Sequence, residues 1–231
     1  MSRAIKLGTV ACSSCLKLLL DVPHSPAGCA THTHGGRGVS VPMLDSGSGC
    51  LPPGRYPVTQ DEVLSRFVDH PDFAASTTRA SIWDSWSIAQ ALLRSAVRVP
   101  VAWLSGGFVS SKVDPEDVDA TFFVSLESYN MAGVAERKVI ESFTHRVAGP
   151  TPGKTVSAHG IAQVDSFAIL WAPFQVARPG SPALDGQYVA MRGYWDDWWS
   201  RRRSGAKTDP FVRADALPRR GYLEVVLDGF I

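Results

Sequence analysis

The residue types that could do chemistry are concentrated near the middle of the chain, where two aspartates flank a valine. In Asp117-Val118-Asp119 the carboxylates are two positions apart at the predicted start of a strand. Alternate strand residues point to the same face, so both carboxylates would project together while Val118 points into the core. Two neighbouring carboxylates repel each other unless a cation lies between them, and hard oxygen ligands suit Mg²⁺. The spacing therefore predicts a magnesium site.

A pair of glycines precedes these aspartates and directly follows a predicted strand. Without side chains, their backbone N–H groups could approach a phosphate closely. If residues 108–112 begin a helical turn, the N-terminus of that turn adds a favourable field for the anion. The candidate phosphate-binding residues are Ser105, Gly106, Gly107, Ser110 and Lys112.

A third carboxylate, Asp165, interrupts the otherwise apolar strand predicted at residues 162–171. A charge within such a run is costly unless it is paired or bound to a metal. Three carboxylates and a phosphate cradle would form a two-metal phosphoryl-transfer site. Two alternatives stay open: residues 114–119 form a solvated acidic turn, and Asp165 is a satisfied structural residue.

At this point the sequence resembles a known superfamily. The run Ser105-Gly-Gly-Phe108, the pair Asp117-x-Asp119 and the lone strand residue Asp165 resemble the nucleotidyltransferase superfamily that includes DNA polymerase beta. Residues 43–231 look closest to a small bacterial and phage family of nucleotidyltransferase-like proteins. The superfamily usually has Gly-Ser at the turn, although Gly-Gly also occurs. Here Gly107 replaces the serine, so Ser105 or Ser110 would have to substitute for it.

The resemblance implies a fold, two cofactor ions and a reaction. The fold would be a minimal nucleotidyltransferase fold, with a central mixed sheet flanked by helices. Asp117 and Asp119 would bind two Mg²⁺ ions, and Asp165 would contribute to the metal site and help activate the attacking hydroxyl. The glycines would hold a nucleoside triphosphate. The enzyme would transfer a nucleoside monophosphate to a hydroxyl of RNA (tRNA included), protein or a small molecule.

Two other functions remain open. The domain could be a catalytically inactive module that binds a nucleotide or RNA. It could also be the toxin component of a toxin–antitoxin or phage-defence system, with an antitoxin as its partner.

The flanking sequence predicts a sheet with helices packed on it. Thr59 and Glu62 form a capping box that starts a helix ending near Val68. The helix predicted next, at residues 73–97, has one apolar stripe: Ile82, Trp86, Ala89, Leu93 and Ala96. The remaining predicted elements are an extended lead-in at 51–57, helices at 132–147 and 188–203, and strands at 99–104, 118–126, 162–171 and 222–227. This order indicates an α/β or α+β fold.

Composition excludes several classes of protein. A hydrophobic content of 45% and a charged content of 19% are typical of a globular protein. A net charge of +1 argues against a strongly basic nucleic-acid coat. No apolar run approaches the length that spans a bilayer, so no membrane partner is expected. The four cysteines all lie within the first fifty residues, which favours a reducing, cytoplasmic location for the body.

Three further segments have competing interpretations. Residues 1–42 are expected to be a disordered or non-native extension, although Cys12-x2-Cys15 and Cys29-x2-His32 also have the spacing of a zinc site. In the helix at 188–203, four side chains predict a buried face, but the same aromatics and arginines could contact nucleic acid; they are Met191, Trp195, Trp198 and Trp199. His145 and His159 have no nucleophile motif nearby, and a substrate-facing role for His159 is a minor alternative.

Overall fold

The computed structural model describes residues 41–149, 155–172, 184–206 and 208–230, with only the backbone for 184–187. These residues belong to the unit Gly38–Ile231. The candidate zinc ligands and the predicted extension lie outside the described residues, except for positions 41 and 42. No helix in the described part of the chain is long and apolar enough to cross a membrane.

A five-stranded mixed sheet forms the centre of the structure, in the order β1-β7-β2-β3-β6. β7 runs parallel to β1 and antiparallel to β2, whereas β3 runs antiparallel to β2 and parallel to β6. A separate antiparallel hairpin pairs β4 with β5. The strands are β1 (Arg55–Val58), β2 (Val101–Ser105), β3 (Val118–Ser125), β4 (Arg146–Ala148), β5 (Thr155–Ser157), β6 (Val164–Trp171) and β7 (Tyr222–Val226). The expected α/β class with a mixed sheet is confirmed.

In the described part of the chain, five α-helices accompany the sheet: α1 (Gln60–Phe67), α2 (Arg79–Ala96), α3 (Leu126–Met131), α4 (Val134–Ser142) and α5 (Leu184–Ser200). The predicted capping box at the start of α1 is confirmed. The Glu62 side chain accepts a hydrogen bond from the Thr59 N–H at 2.7 Å, and the Thr59 hydroxyl accepts one from the Glu62 N–H at 3.2 Å.

Two hydrophobic cores lie on opposite faces of the sheet. The larger contains α1, α2 and α4, and four of the five predicted stripe residues of α2 are fully buried in it: Ile82, Trp86, Ala89 and Leu93. The smaller core packs Trp195 and Trp199 of α5 against Trp103, Phe123 and Tyr222. Side chains alternate along β3, so its even-numbered residues face α2 and its odd-numbered residues face α5.

The helix predicted at 73–97 begins six residues late, because a loop residue binds the preceding segment. Asp114 accepts hydrogen bonds from the Thr77 N–H at 2.7 Å and from the Ser76 and Thr77 hydroxyls. Residues Pro71–Phe73 form a separate 3₁₀ turn, and α2 starts at Arg79. Asp114 thus connects the loop that precedes β3, by hydrogen bonds, to the residues just before α2.

Two other expectations about local structure are wrong. The helix predicted at 132–147 ends at Ser142, and Arg146–Ala148 pairs with Thr155–Ser157 instead. In α5, Met191 and Trp198 are exposed rather than buried. The extended lead-in expected at 51–57 runs into β1, an edge strand that tolerates Pro57.

Residues 108–112 contain a turn but no helix, and a buried arginine binds three of their carbonyl groups. Arg79 is 1% exposed. Its Nη1 donates to the carbonyls of Phe67 at 2.9 Å and Phe108 at 2.7 Å. Its Nη2 donates to those of Ser110 at 2.8 Å and Lys112 at 2.6 Å. These contacts hold residues 108–112 in an irregular conformation, so no helix begins here whose N-terminus could attract an anion.

The charge of Arg79 is retained in this buried position. Burial lowers the pKa of its guanidinium to about 10, and the nearby Asp114 carboxylate opposes that change. The guanidinium carbon lies 3.7 Å from the centroid of the Phe73 ring, which adds a cation–π contact. At neutral pH the loop is therefore held by a cation with four oriented hydrogen bonds.

Replacing this side chain should destabilise the protein far more than replacing an exposed arginine of the same helix. Arg79→Met leaves four carbonyls without their donor, so we expect a loss of at least about 3 kcal/mol in the free energy of unfolding. Arg94 pairs with Asp228 at the surface, and Arg94→Met should cost no more than about 1 kcal/mol. Urea denaturation measures both. Equal losses would contradict the role assigned to Arg79.

Candidate functional site

One edge of the sheet gathers residues that are far apart in the sequence. β2 runs antiparallel to β7 and β3, so its end lies beside their starts, and β6 starts at the same edge because it is parallel to β3. The row at this edge is Arg220, Gly106, Asp119 and Asp165, in strand order. Neighbouring strands are about 4.8 Å apart. The predicted glycine turn and two of the three predicted aspartates therefore share one edge.

Asp119 and Asp165 are directly paired in the sheet. They are Cα partners on the parallel strands β3 and β6, and Ser105 is the partner of Asp119 on β2. Paired positions share a face, and both aspartates belong to the face that α5 covers. Val118, between the predicted metal-binding aspartates, is fully buried on the other face, as expected.

Asp117 lies just before β3 and lines a cavity of about 400 Å³ together with Asp165, Arg146 and Ser157. Asp119 lies against Gly106 instead. In the part of the chain that the structure describes, no three His, Cys, Asp or Glu side chains come together as a metal-binding group. The strand register brings the carboxylates to one edge without gathering all three at one point.

Position 106 requires a glycine because of its backbone conformation and because of the adjacent Asp119 carboxylate. Its φ is +79°, a conformation that L side chains rarely adopt, and a Cβ built there would lie 1.8 Å from Oδ2 of Asp119. Next to it, a Cβ on Gly107 would lie 3.5 Å from Cδ of Lys112, whose ammonium is 3.8 Å from Glu116. The glycine turn therefore lies between the Asp119 carboxylate and the Lys112 side chain.

The candidate serines have different surroundings. The Ser110 hydroxyl donates to the Gly107 carbonyl at 2.7 Å and accepts from the Lys112 N–H at 3.3 Å, so it stabilises the loop. Ser105 is 0% exposed, and its hydroxyl has no hydrogen-bond partner. An unpaired buried hydroxyl is costly. Of the two serines proposed to replace the missing turn serine, Ser105 is therefore the one with hydrogen-bonding capacity left for a ligand.

Two arginines flank the aspartates, and sequence reasoning missed both. Arg146 forms an ion pair with Asp165, and it also donates to the Thr155 hydroxyl at 2.9 Å and the Thr155 carbonyl at 2.8 Å. Arg220 donates to the Trp199 carbonyl at 3.0 Å. Burial lowers the pKa of Arg220, and the negative charge of Asp119 opposes that change. The sequence predicts a helix at Arg146, and that helix gives no indication that Arg146 lies near Asp165. Arg220 lies just before a predicted strand, which is the signal that could have identified it.

A histidine–serine contact near this edge is structural. The Ile161 N–H donates to Nδ1 of His159 at 3.0 Å, so the ring proton is on Nε2 and is directed to the Ser166 hydroxyl at 2.9 Å. A nitrogen that already carries a proton cannot accept one from serine. Ser166 is also buried beneath the Phe143 carbonyl. The pair therefore does not form a nucleophile and its base.

Gly106→Ala should destabilise the protein more than Gly229→Ala does. Both glycines have similar φ, +79° and +73°, but a Cβ on Gly229 meets nothing within 4 Å. Gly229→Ala should cost about 1–2 kcal/mol through its backbone, and Gly106→Ala should cost a further 1–3 kcal/mol, roughly, through the clash with Asp119. Thermal and urea unfolding measure the difference. Asp119→Gly, added to Gly106→Ala, should remove the clash, so the loss in the free energy of unfolding caused by Gly106→Ala should approach that caused by Gly229→Ala. An unchanged difference between the two losses would contradict this geometry.

His159 should make folding sensitive to acid. Burial lowers its pKa from 6.5 to about 4, with Asp165 opposing the change. The unfolded chain therefore binds a proton more readily, so the stabilisation from neutral His159 is complete above about pH 6.5 and is lost as the pH falls towards 4. In His159→Gln, the urea midpoint should fall less steeply than in the wild-type protein as the pH is lowered from about 6.5 to 4. Identical slopes in the wild-type protein and His159→Gln would rule out this assignment.

Comparisons with known proteins identify a family. No curated protein and no solved structure matches the chain. The family model DUF6932, described as a family of unknown function, matches residues 42–226. The matched region includes the glycine turn, the three candidate aspartates and both flanking arginines. The chain therefore belongs to the DUF6932 family of unknown function.

Proposed function

We propose that this protein is a Mg²⁺-dependent nucleotidyltransferase that moves a nucleoside monophosphate from a nucleoside triphosphate to an acceptor hydroxyl. The observation that supports this most directly is the register of Asp119 with Asp165 at the sheet edge, where Gly106 packs against the Asp119 carboxylate. Two carboxylates on adjacent strands beside a glycine turn could hold metal ions next to a bound phosphate, which is what two-metal phosphoryl transfer uses.

Magnesium suits this edge by its donor chemistry. Asp117, Asp119 and Asp165 offer only hard carboxylate oxygens, and Asp119 and Asp165 project from paired positions on one face. These three residues would hold two Mg²⁺ ions. When bound, the ions would supply charge neutralisation on the phosphates and a more acidic acceptor hydroxyl. Asp165 would exchange its ion pair with Arg146 for a metal contact.

The protein groups would bind the donor and orient the acceptor. The Ser105 hydroxyl, buried and without a partner, would donate to a phosphate oxygen, as would the N–H groups of Gly106 and Gly107. Lys112 beside the glycine turn would contribute positive charge. Asp165 would accept a hydrogen bond from the acceptor hydroxyl and take its proton as the oxygen bonds to the α-phosphorus. The bond from this phosphorus to the bridging oxygen would break, and pyrophosphate would leave.

A cytoplasmic setting belongs to the same proposal. Nucleoside triphosphates are available there, and the buried Cys50, the free cysteine among the described residues, would stay reduced. The acceptor in this proposal is RNA, protein or a small molecule with a free hydroxyl.

One observation favours a second candidate, a nucleotide-binding module without catalysis. Asp165 is already neutralised by Arg146, which is itself fixed by two hydrogen bonds to Thr155. If Arg146 keeps that position, the third carboxylate does not reach the acceptor. Nucleotide binding in the presence of Mg²⁺, with no pyrophosphate release, would distinguish this module from the enzyme.

Pyrophosphate release tests the proposal. The wild-type protein is incubated with Mg²⁺, each of the four labelled ribonucleoside triphosphates, and total cellular RNA and protein. We expect label on one macromolecular fraction, and at least about a hundredfold slower release by Asp119→Asn, because a metal ligand is lost. Asp69→Asn, at an exposed residue of the loop after α1, should react like wild type. Full turnover by Asp119→Asn would overturn the assignment.

A further inference from the structure

The C-terminal end of α5 and residues 211–216 enclose a second cavity, of about 520 Å³. We call it the arginine–aromatic cavity and define it by Trp198, Arg201, Arg202, Arg203, Phe211 and Arg220. Its volume is within the range of small-molecule sites. None of its residues is among those to which the sequence assigns a role in phosphoryl transfer.

The charge of this cavity is strongly positive. Four guanidinium groups line it, and the carboxylate among its lining residues is Asp215. The oxygens of Asp215 accept hydrogen bonds from the Val212 N–H at 3.0 Å and the Ser204 N–H at 2.7 Å, and its negative charge interacts with Arg203. Arg201 is paired with Asp197 on α5. The positive charge of Arg202 and Arg220 is complementary to an anion with several negative charges.

Aromatic faces are exposed at the same cavity. Phe211 is 69% exposed, with the Arg203 guanidinium 4.2 Å from its ring centroid. Trp198 is 39% exposed and is stacked on Tyr194 at an interplanar angle of 10°. Trp198 was expected on the buried face of its helix, but Trp195 and Trp199 fill that core. Exposed aromatic faces beside cations suit a ligand that is both planar and anionic.

The cavity lies on a defined side of the candidate site. Arg220 lines it, lies two residues before the start of β7, and interacts with the Asp119 charge. In strand order the cavity is therefore on the β7 side of Asp119, whereas Asp165 and Arg146 are on the β6 side. Cations suit the phosphates of a donor nucleotide, and an aromatic surface suits its base. A carboxylate suits an acceptor hydroxyl, because it can take the proton. The β7 side of Asp119 offers the first environment and the β6 side offers the second.

We propose that the arginine–aromatic cavity binds the nucleoside triphosphate donor, with its base against Trp198 and Phe211 and its phosphates directed by Arg202 and Arg220 towards the glycine turn. This inference rests on the proposed nucleotidyltransferase function and adds to it the donor site and the opposite placement of the acceptor. A mononucleotide suits the cavity because the volume of about 520 Å³ is that of a small-molecule site.

Calorimetric titration of the full-length protein with two kinds of probe separates the roles of the base and the phosphates. One kind is a nucleoside triphosphate, with each of the four tested in turn, and the other is inorganic tripolyphosphate. All titrations contain Mg²⁺. Trp198→Ala should weaken binding of the nucleoside triphosphate about tenfold and leave tripolyphosphate binding unchanged, because only the stacking surface is lost. Arg202→Ala should weaken binding of both probes about tenfold.

Matched controls lie away from the cavity. Phe230→Ala removes an exposed ring that packs against Trp171, and Arg137→Ala removes an exposed arginine on α4. Both should bind the two probes as wild type does. Because Trp198 and Arg202 are exposed, their variants should unfold at the wild-type temperature, which checks that binding is lost without loss of the fold.

Two results would overturn the inference. In the first, Trp198→Ala and Arg202→Ala bind every nucleoside triphosphate as tightly as wild type. In the second, a single-stranded oligonucleotide binds at least tenfold more tightly than any nucleoside triphosphate and is the ligand that these variants lose. The proposed function fails separately: nucleotide binding lost in the cavity variants, with no pyrophosphate release by wild type, would support the donor site and reject the transferase.

Discussion

The candidate site depends on the buried cation of Arg79. Its guanidinium is the donor that fixes the carbonyls of Phe108, Ser110 and Lys112, and those residues connect the glycine turn to β3. A loop of this kind does not satisfy its carbonyls by regular secondary structure, so the guanidinium is their donor. The turn can therefore be irregular and still rigid, and Gly106 is held at a left-handed φ against the Asp119 carboxylate.

The mixed topology of the sheet then determines which side chains meet. Because β2 is antiparallel to both of its neighbours, its end is adjacent to two strand starts, and the parallel pair β3 and β6 adds a third. A fully parallel sheet would have placed the end of β2 beside the ends of the other strands. Alternation along β3 and β6 sends Asp119 and Asp165 to the face of α5, so that helix forms one wall of the site.

The sequence was sufficient for the features that depend on local pattern. The apolar stripe of α2, the capping box of α1 and the alternation around Val118 each predicted what the structure contains. The sequence was insufficient where a distant contact decides the local conformation. Asp114 binds the residues before α2, which starts later than predicted. Arg79 binds the carbonyls of the turn after the glycines, which does not continue as a helix. Residues predicted to end a helix pair with β5 as β4. Register is also non-local, so the pairing of Asp119 with Asp165 could be expected only from the resemblance.

The charges at the sheet edge explain how a ligand could be accommodated without leaving a buried charge unpaired. Asp165 is balanced by Arg146, and Asp119 is within electrostatic reach of Arg220. Removing Arg146 would leave the Asp165 carboxylate without this ion pair, which is costly in a partly buried position. Under the proposed function, a magnesium–triphosphate complex brings both signs of charge together. Its cations would replace Arg146 at Asp165 and lie beside Asp119, and its phosphates would lie beside Arg220. Both aspartates and Arg220 would thus have charges of opposite sign beside them before and after binding, so one edge can carry both acidic and basic groups.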